Sequence, residues 1–353
     1  MNAFVYHEDY NKYDLAPGHP LIGDKPRRTL RFLKEKNLLD DYFDVFTPMK
    51  AGIKDLLRVH AESYVDHIIE LSRKGGFLSS DTPAPKGIYE IASLAAGGSI
   101  LGGCKLFEGY ECSVNPLGGF HHASRDHSSG FCFFNDIAIT IEYLREKHNV
   151  KRFAVIDLDV HHGNGTQDIY ASDPTVLNIS FHQDGRTLYP GTGSLDMIGE
   201  GEGKGYTVNL PLPPGTVSAD YMHAFDEIIP PLILQFKPEI IIYQSGVDTH
   251  HSDPLAGLKL IYQTYYHLAR RIKNLSDETC RRLLVLLGGG YSTEASVICY
   301  YNIICGLLDL DVFIKEEEIL SDYEYEIYKN PYGSEIETLI QGLKGLLKPY
   351  WKL

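Results

Sequence analysis

Five short apolar runs constrain this chain more than any other feature. They are Phe153–Leu158 (FAVIDL), Val176–Phe181 (VLNISF), Ile240–Tyr243 (IIIY), Leu283–Leu287 (LLVLL) and a weaker one at Cys112–Asn115. The four strong runs are β-rich and do not alternate with polar residues, the pattern of strands buried on both faces of a parallel sheet. Helical stretches such as Ala219–Gln235 and Gln263–Leu275 separate most of them. Alternating βαβ units build an α/β fold, a mostly parallel sheet with helices on both faces. The 353 residues suffice for a large core. There is no repeat at solenoid periods and no Pro/Gly/Ser linker between self-sufficient parts, so one domain over 1–353 is expected. The most apolar stretch, Ser296 to Leu310, is too short to span a bilayer and reads as a buried helix. Two long loops, Arg73–Gly87 and Gln183–Gly205, stand out as functional or mobile.

Polar side chains able to bind metal follow each run. They are Asp159-Val-His161-His162, His182, Gln244-Ser-Gly-Val-Asp248, Gly288-Gly-Gly-Tyr291 and Gly118-Gly-Phe-His121-His122. Open α/β sheets place their ligands at these carboxyl ends. Asp157, Asp159 and His161 follow a period of two, which points all three the same way. Asp159, His161 and the distant Asp248 offer one imidazole and two carboxylates. Zinc accepts such a set, and a catalytic zinc keeps one position open for water. Non-haem iron prefers two imidazoles and one carboxylate, so Fe(II) fits less well but is compatible. Two anionic ligands weaken Lewis acidity, so the water needs a dedicated base, which His121-His122 can supply.

Taken together, the motifs resemble the histone deacetylase superfamily, which includes acetylpolyamine amidohydrolases and acetoin-utilisation proteins. The resemblance rests on Gly118-Gly-Phe-His-His-Ala123, Ser129-Gly-Phe-Cys132 with Asn135-Asp136, Ile156-Asp-Leu-Asp-Val-His-His-Gly-Asn-Gly165, Tyr189-Pro-Gly-Thr-Gly193, Gly246-Val-Asp-Thr249 with Asp253-Pro254, and Gly288-Gly-Gly-Tyr291. Asn164, where the class I pattern usually has Asp, is more similar to the class II and bacterial branch. The resemblance implies a zinc-dependent amidohydrolase with one ion per chain on Asp159, His161 and Asp248. It implies His122 as general base and proton donor, His121 paired with Asp157, and Tyr291 as the hydroxyl on the scissile carbonyl. Gly130, Phe131 and Tyr189 would line the substrate tunnel, Asp81 would hold the substrate backbone, and Arg28 would belong to an internal channel. A structural K+ is implied at Asp157, His161, Ser180 and Phe181. The substrate would be an acetylated lysine in a peptide or protein, or an acetylated small amine. Leu255 stands near where polyamine-selective relatives can carry an acid, which favours acyl-lysine or a small amine. His250 and His251 replace the commoner small residues and are expected to shape the rim.

Composition trims the alternatives. Lys+Arg total 33 against 47 Asp+Glu, a formal net charge of −14, so neither phosphate neutralisation on nucleic acid nor docking on an anionic membrane is expected. The six cysteines form no C-x-x-C pair and read as reduced thiols, and the N-terminus lacks a signal-peptide pattern. A cytoplasmic protein is expected, with exposed loops that leave room for a homo-oligomer. His60 and Tyr64 read as packing on one helix, and Glu316–Glu318 as a solvated face. Two other functions were weighed. A two-metal ureohydrolase shares the architecture and the Ser245-Gly-Val-Asp248 segment, but wants acids where Gly163 and His250 stand. A non-enzymatic acyl-lysine binder would keep the fold without turnover.

Overall fold

The computed structural model describes residues 1–21, 23–79, 81–316 and 333–353. In chain order the strands are β1 (Asn2–Val5), β2 (Phe43–Phe46), β3 (Gly76–Phe77), β4 (Pro83–Ala84), β5 (Cys112–Asn115), β6 (Phe153–Asp157), β7 (Val176–Gln183), β8 (Thr207–Leu212), β9 (Ile240–Gln244) and β10 (Leu283–Leu286). Eight of them form one sheet in the order β2-β1-β5-β10-β9-β6-β7-β8. Every pairing in it is parallel. All five runs read from the sequence are strands, and every residue of these strands is buried.

The period of two along each strand divides the core. Ala154, Ile156, Ile241, Tyr243, Leu283 and Val285 face one layer, where they pack with Tyr221, Phe225, Ile272 and Tyr300 from helices. Phe153, Val155, Ile240, Ile242, Leu284 and Leu286 face the other, with Val65, Ala96, Ile137 and Ile141. Helices on both faces are what buried parallel strands require. The stretches expected to be helical form Ser218–Phe236, Tyr262–Thr279 and Thr293–Leu307. No helix of the described residues is long and apolar enough to cross a membrane. All six cysteines are free.

Strand order explains where the site lies. The chain places β5, moves outward through β6, β7 and β8, then returns to insert β9 and β10 between β6 and β5. The order therefore reverses at β5-β10-β9-β6, and the loops leaving these four neighbours open onto one crevice. Ligands of open α/β sheets bind at such a switch point.

Three readings change. The stretch Arg73–Gly87 is not all loop: Arg73 and Lys74 end the helix Glu62–Lys74, and β3 and β4 pair as a small antiparallel ribbon. His60 precedes that helix rather than sharing it with Tyr64, and its ring accepts the Asn135 backbone N–H at 3.0 Å. Glu317 and Glu318 lie outside the described residues, and Glu316 is not on a solvated face. It binds His251 and backs onto His250.

Candidate active site

β6 stops at Asp157, and the turn after it splits the three residues that alternation alone would align. Asp157 turns to His121, whose Nδ1 lies 2.7 Å from its Oδ2. Asp159 and His161 turn instead to Asp248, which leaves the end of β9. His161 Nδ1 is 3.1 Å from Asp159 Oδ1 and 3.2 Å from Asp248 Oδ2. One donor atom from each of Asp159, His161 and Asp248 lies within 4.8 Å of the others, and all three residues are buried.

This cluster suits a divalent cation. Two carboxylates buried side by side repel one another, and burial together with Asp159 pushes Asp248 up to about 7. Asp248 Oδ1 accepts the Val160 N–H at 2.9 Å, but the buried Oδ2 has no partner besides the His161 ring at 3.2 Å. A buried anionic oxygen left in this way is costly unless a cation meets it. The backbone makes room: a Cβ on Gly289 would lie 2.2 Å from Asp159 Oδ2 and 2.4 Å from Asp248 Oδ2. Gly289 thus keeps the carboxylates' space clear.

Beside the cluster stands the histidine pair, with Nε2 atoms 3.1 Å apart. Burial opposes a charge on His121, but Asp157 and Asp159 outweigh it and raise the ring to about 9. Burial, then His121 and His161, hold His122 well below the usual histidine range, so it is neutral. His122 Nδ1 is 2.7 Å from Asn164 Oδ1. With the amide oxygen facing it, Nδ1 carries the proton and Nε2 is left as a lone pair, which the charged His121 meets with its own Nε2–H at 3.1 Å. Gly130 has φ +50°, and a Cβ there would meet the His122 ring at 2.2 Å.

Aromatic rings collar these groups. Tyr189 stands edge-on to His122, with centroids 5.3 Å apart, and to His161 at 6.4 Å. Tyr291 is edge-on to His161 at 6.4 Å, and Phe131 to Tyr291 at 5.9 Å. Asp253 accepts the Tyr291 N–H at 2.7 Å, which fixes the turn after the three glycines. Burial, then Asp248 and Asp159, keep the Tyr291 hydroxyl protonated far above its usual range. Tyr189 is 41% exposed, so it stands at the mouth, where it bonds Ser129. Asp81 is exposed near that mouth: its backbone oxygen meets His19, whose ring packs on Phe131 at 4.6 Å. Ser180 sits opposite Asp157 in the β6–β7 ladder, with Phe181 next in line.

Some expectations are corrected. Arg28 is largely exposed and paired with Asp24 at 2.8 Å, at the edge of a small cavity that it lines with Lys25, Gly290 and Tyr291. The inner cavity behind His121 and Asp159 is lined instead by Lys25. Its ammonium donates to the Gly288 and Gly290 carbonyls at 2.9 and 3.0 Å. Leu255 is half-buried and joins the site through its backbone N–H to Asp253 Oδ1. His250 is 2% exposed, an interior residue rather than a rim one. Sequence reasoning also passed over Gln244, which donates to Asp159 Oδ2 at 3.1 Å and takes the Gly246 N–H on its oxygen. Its place at the end of a buried strand was the available signal.

A model described as "Histone deacetylase domain" matches residues 19–307. A probable deacetylase of Archaeoglobus fulgidus is 37% identical across 100% of this chain and 99% of its own length. A histone deacetylase-like amidohydrolase of Pseudomonas aeruginosa is 38% identical over 82% of this chain and 77% of the relative. The acetoin utilization protein AcuC of Bacillus subtilis is 33% identical over the same shares. The crystal structure of the HDA15 HD domain superposes with a TM-score of 0.85 at 25% identity, covering 99% of this chain and 96% of that one. The parallel sheet, the site at its switch point and these matches agree: the chain belongs to the histone deacetylase family of deacetylases and amidohydrolases.

Proposed function

We propose that this chain hydrolyses the amide of an N-acetylated lysine or small amine and releases acetate, using one divalent ion held by Asp159, His161 and Asp248. The observation that carries the reading is the convergence of those three ligands beside a neutral, oriented His122. Zinc is the ion this donor set suits best, with Fe(II) the alternative. When bound, the ion supplies Lewis acidity, which acidifies water and polarises a carbonyl.

The protein's own groups do the rest. His122 Nε2 takes the proton from the attacking water and later gives it to the leaving amine. His121, held by Asp157, keeps a positive charge next to the developing anion. The Tyr291 hydroxyl donates to the oxygen that gains charge as the carbonyl carbon becomes tetrahedral. Phe131 and Tyr189 flank a slot for the aliphatic chain, and Asp81 at the mouth would accept hydrogen bonds from the substrate's backbone. A K+ near Asp157, His161, Ser180 and Phe181 would brace the β6–β7 end of the site.

The test is an assay of zinc-loaded protein against an acetyl-lysine peptide, an acetylpolyamine and agmatine, with and without chelator. Acetate release that the chelator abolishes is expected, and the better acetylated substrate sets the substrate class. Urea from agmatine, or no product from either acetylated compound, would overturn the reading.

A further inference from the structure

A second histidine cluster lies outside this machinery. His250 and His251 follow Asp248 on the same loop, and both Nε2 atoms turn to one oxygen of Glu316, at 3.4 and 2.6 Å. His250 is 2% exposed, and its Nε2 has no partner besides that Glu316 oxygen. The ring is held firmly. It stacks on Tyr262, with centroids 4.6 Å apart and planes 14° from parallel, and its Nδ1 lies 2.8 Å from Ser252 Oγ. The Ser252 backbone N–H also points at Nδ1, at 3.3 Å, so both Ser252 groups hold the ring with Nε2 facing Glu316; a metal at Nε2 would take the place of its proton, which Nδ1 could carry against Ser252 Oγ. The carboxylate is fixed too, since its other oxygen accepts the Tyr262 N–H at 3.1 Å. One donor atom from each of the three residues lies within 4.8 Å of the others.

We propose that His250, His251 and Glu316 bind a second divalent transition-metal ion of the zinc class. Ligands about 2.0–2.1 Å from a tetrahedral zinc stand about 3.3 Å apart. The His250–Glu316 separation already has that value, and only His251 must move back, which its 38% exposed side chain permits. The ion would pin the loop after Asp248 to the segment at Glu316. That loop also holds Tyr291: Asp253 takes the Tyr291 and Ser292 N–H groups, and Ser252 Oγ meets Ser292 Oγ at 3.3 Å. The role is therefore structural and independent of the proposed hydrolysis.

The experiment is metal counting on tag-free protein, stripped with chelator, reloaded with zinc and desalted. Wild type should retain two ions per chain, and His251→Ala and Glu316→Gln one each. His161→Ala should also retain one, and zinc should still raise its melting temperature. Adding His251→Ala to His161→Ala should abolish both retention and thermal shift. One ion in wild type that survives His251→Ala, or two ions in both, would refute the second site. A count that His161→Ala leaves unchanged would instead count against the first.

Discussion

His122 and Tyr291 illustrate how neighbours prepare single side chains. Tyr291 sits in an anionic field that keeps its proton on, so the hydroxyl is a donor at any physiological pH. Tyr291→Phe preserves the ring packed against Phe131 and His161 and removes that one donor. We expect kcat to fall about 10²–10³-fold, with metal content unchanged by elemental analysis; an unaltered kcat would remove the residue from the mechanism. His122 is oriented by a neutral amide, which sets its tautomer without adding charge. Asn164→Asp keeps the acceptor and adds a negative charge, which favours the protonated ring and raises its pKa by about one unit or more. A base must be neutral to work, so the acid limb of the kcat/KM profile should move to higher pH in Asn164→Asp. An unmoved limb would show that another group sets it. The charged or metal-competent side chains were legible in the sequence because they gather after apolar runs. The roles of Gln244 and Asn164 were not, since an uncharged amide shows only its position, Gln244 at the end of a buried strand and Asn164 inside a motif.

At the scale of elements, burial decides what can be read. The central strands are apolar throughout because helices cover both faces, and they were legible with nearly their observed bounds. β2 and β8 were missed. They are the edges of the sheet, and β2 is largely exposed while β8 carries Pro211, which edge strands tolerate. β1, NAFV at the very start of the chain, was missed as well. Helix docking also uses buried polar groups. His60 accepts the N–H of Asn135, which itself caps the helix Asp136–His148 through the Ala138 N–H. Burial pushes His60 down to about 4 and His182, next to His162, down to about 3. In the unfolded chain both titrate near 6.5. Above that value both states are neutral and stability is unaffected; as pH falls from about 6.5 to 4 the unfolded state takes up protons that the fold refuses. Each histidine then removes up to about 1.4 kcal/mol per pH unit. Denaturant unfolding at a series of pH values should show this loss, and His60→Gln, which keeps an acceptor but cannot titrate, should show a shallower slope. Equal slopes would mean that His60 is free to charge in the fold.

The whole molecule adds a field that no single residue supplies. The chain carries a net charge of −14 and the exposed Asp81 marks the mouth, while the slot beneath is built of rings. The acetyl-lysine side chain itself is neutral, so discrimination by charge falls on what flanks it. A peptide rich in Lys and Arg is drawn toward this surface over a distance set by screening, whereas a neutral acetyl-lysine amide is not. The Debye length shrinks from about 20 Å at ~0.02 M salt to about 4 Å at ~0.5 M. Over that range kcat/KM for the cationic acetylated peptide should fall roughly tenfold, the lower end of what steering contributes. The kcat of the bound complex should hold steady, because buried groups are screened far less than surface ones. Stopped-flow or initial-rate measurements on the two substrates across the salt series separate encounter from chemistry. A parallel decline for the neutral amide would place the salt effect at the site itself. A flat response for both would mean that the acidity of this chain serves solubility and leaves substrate choice to the collar of Phe131, Tyr189 and Tyr291.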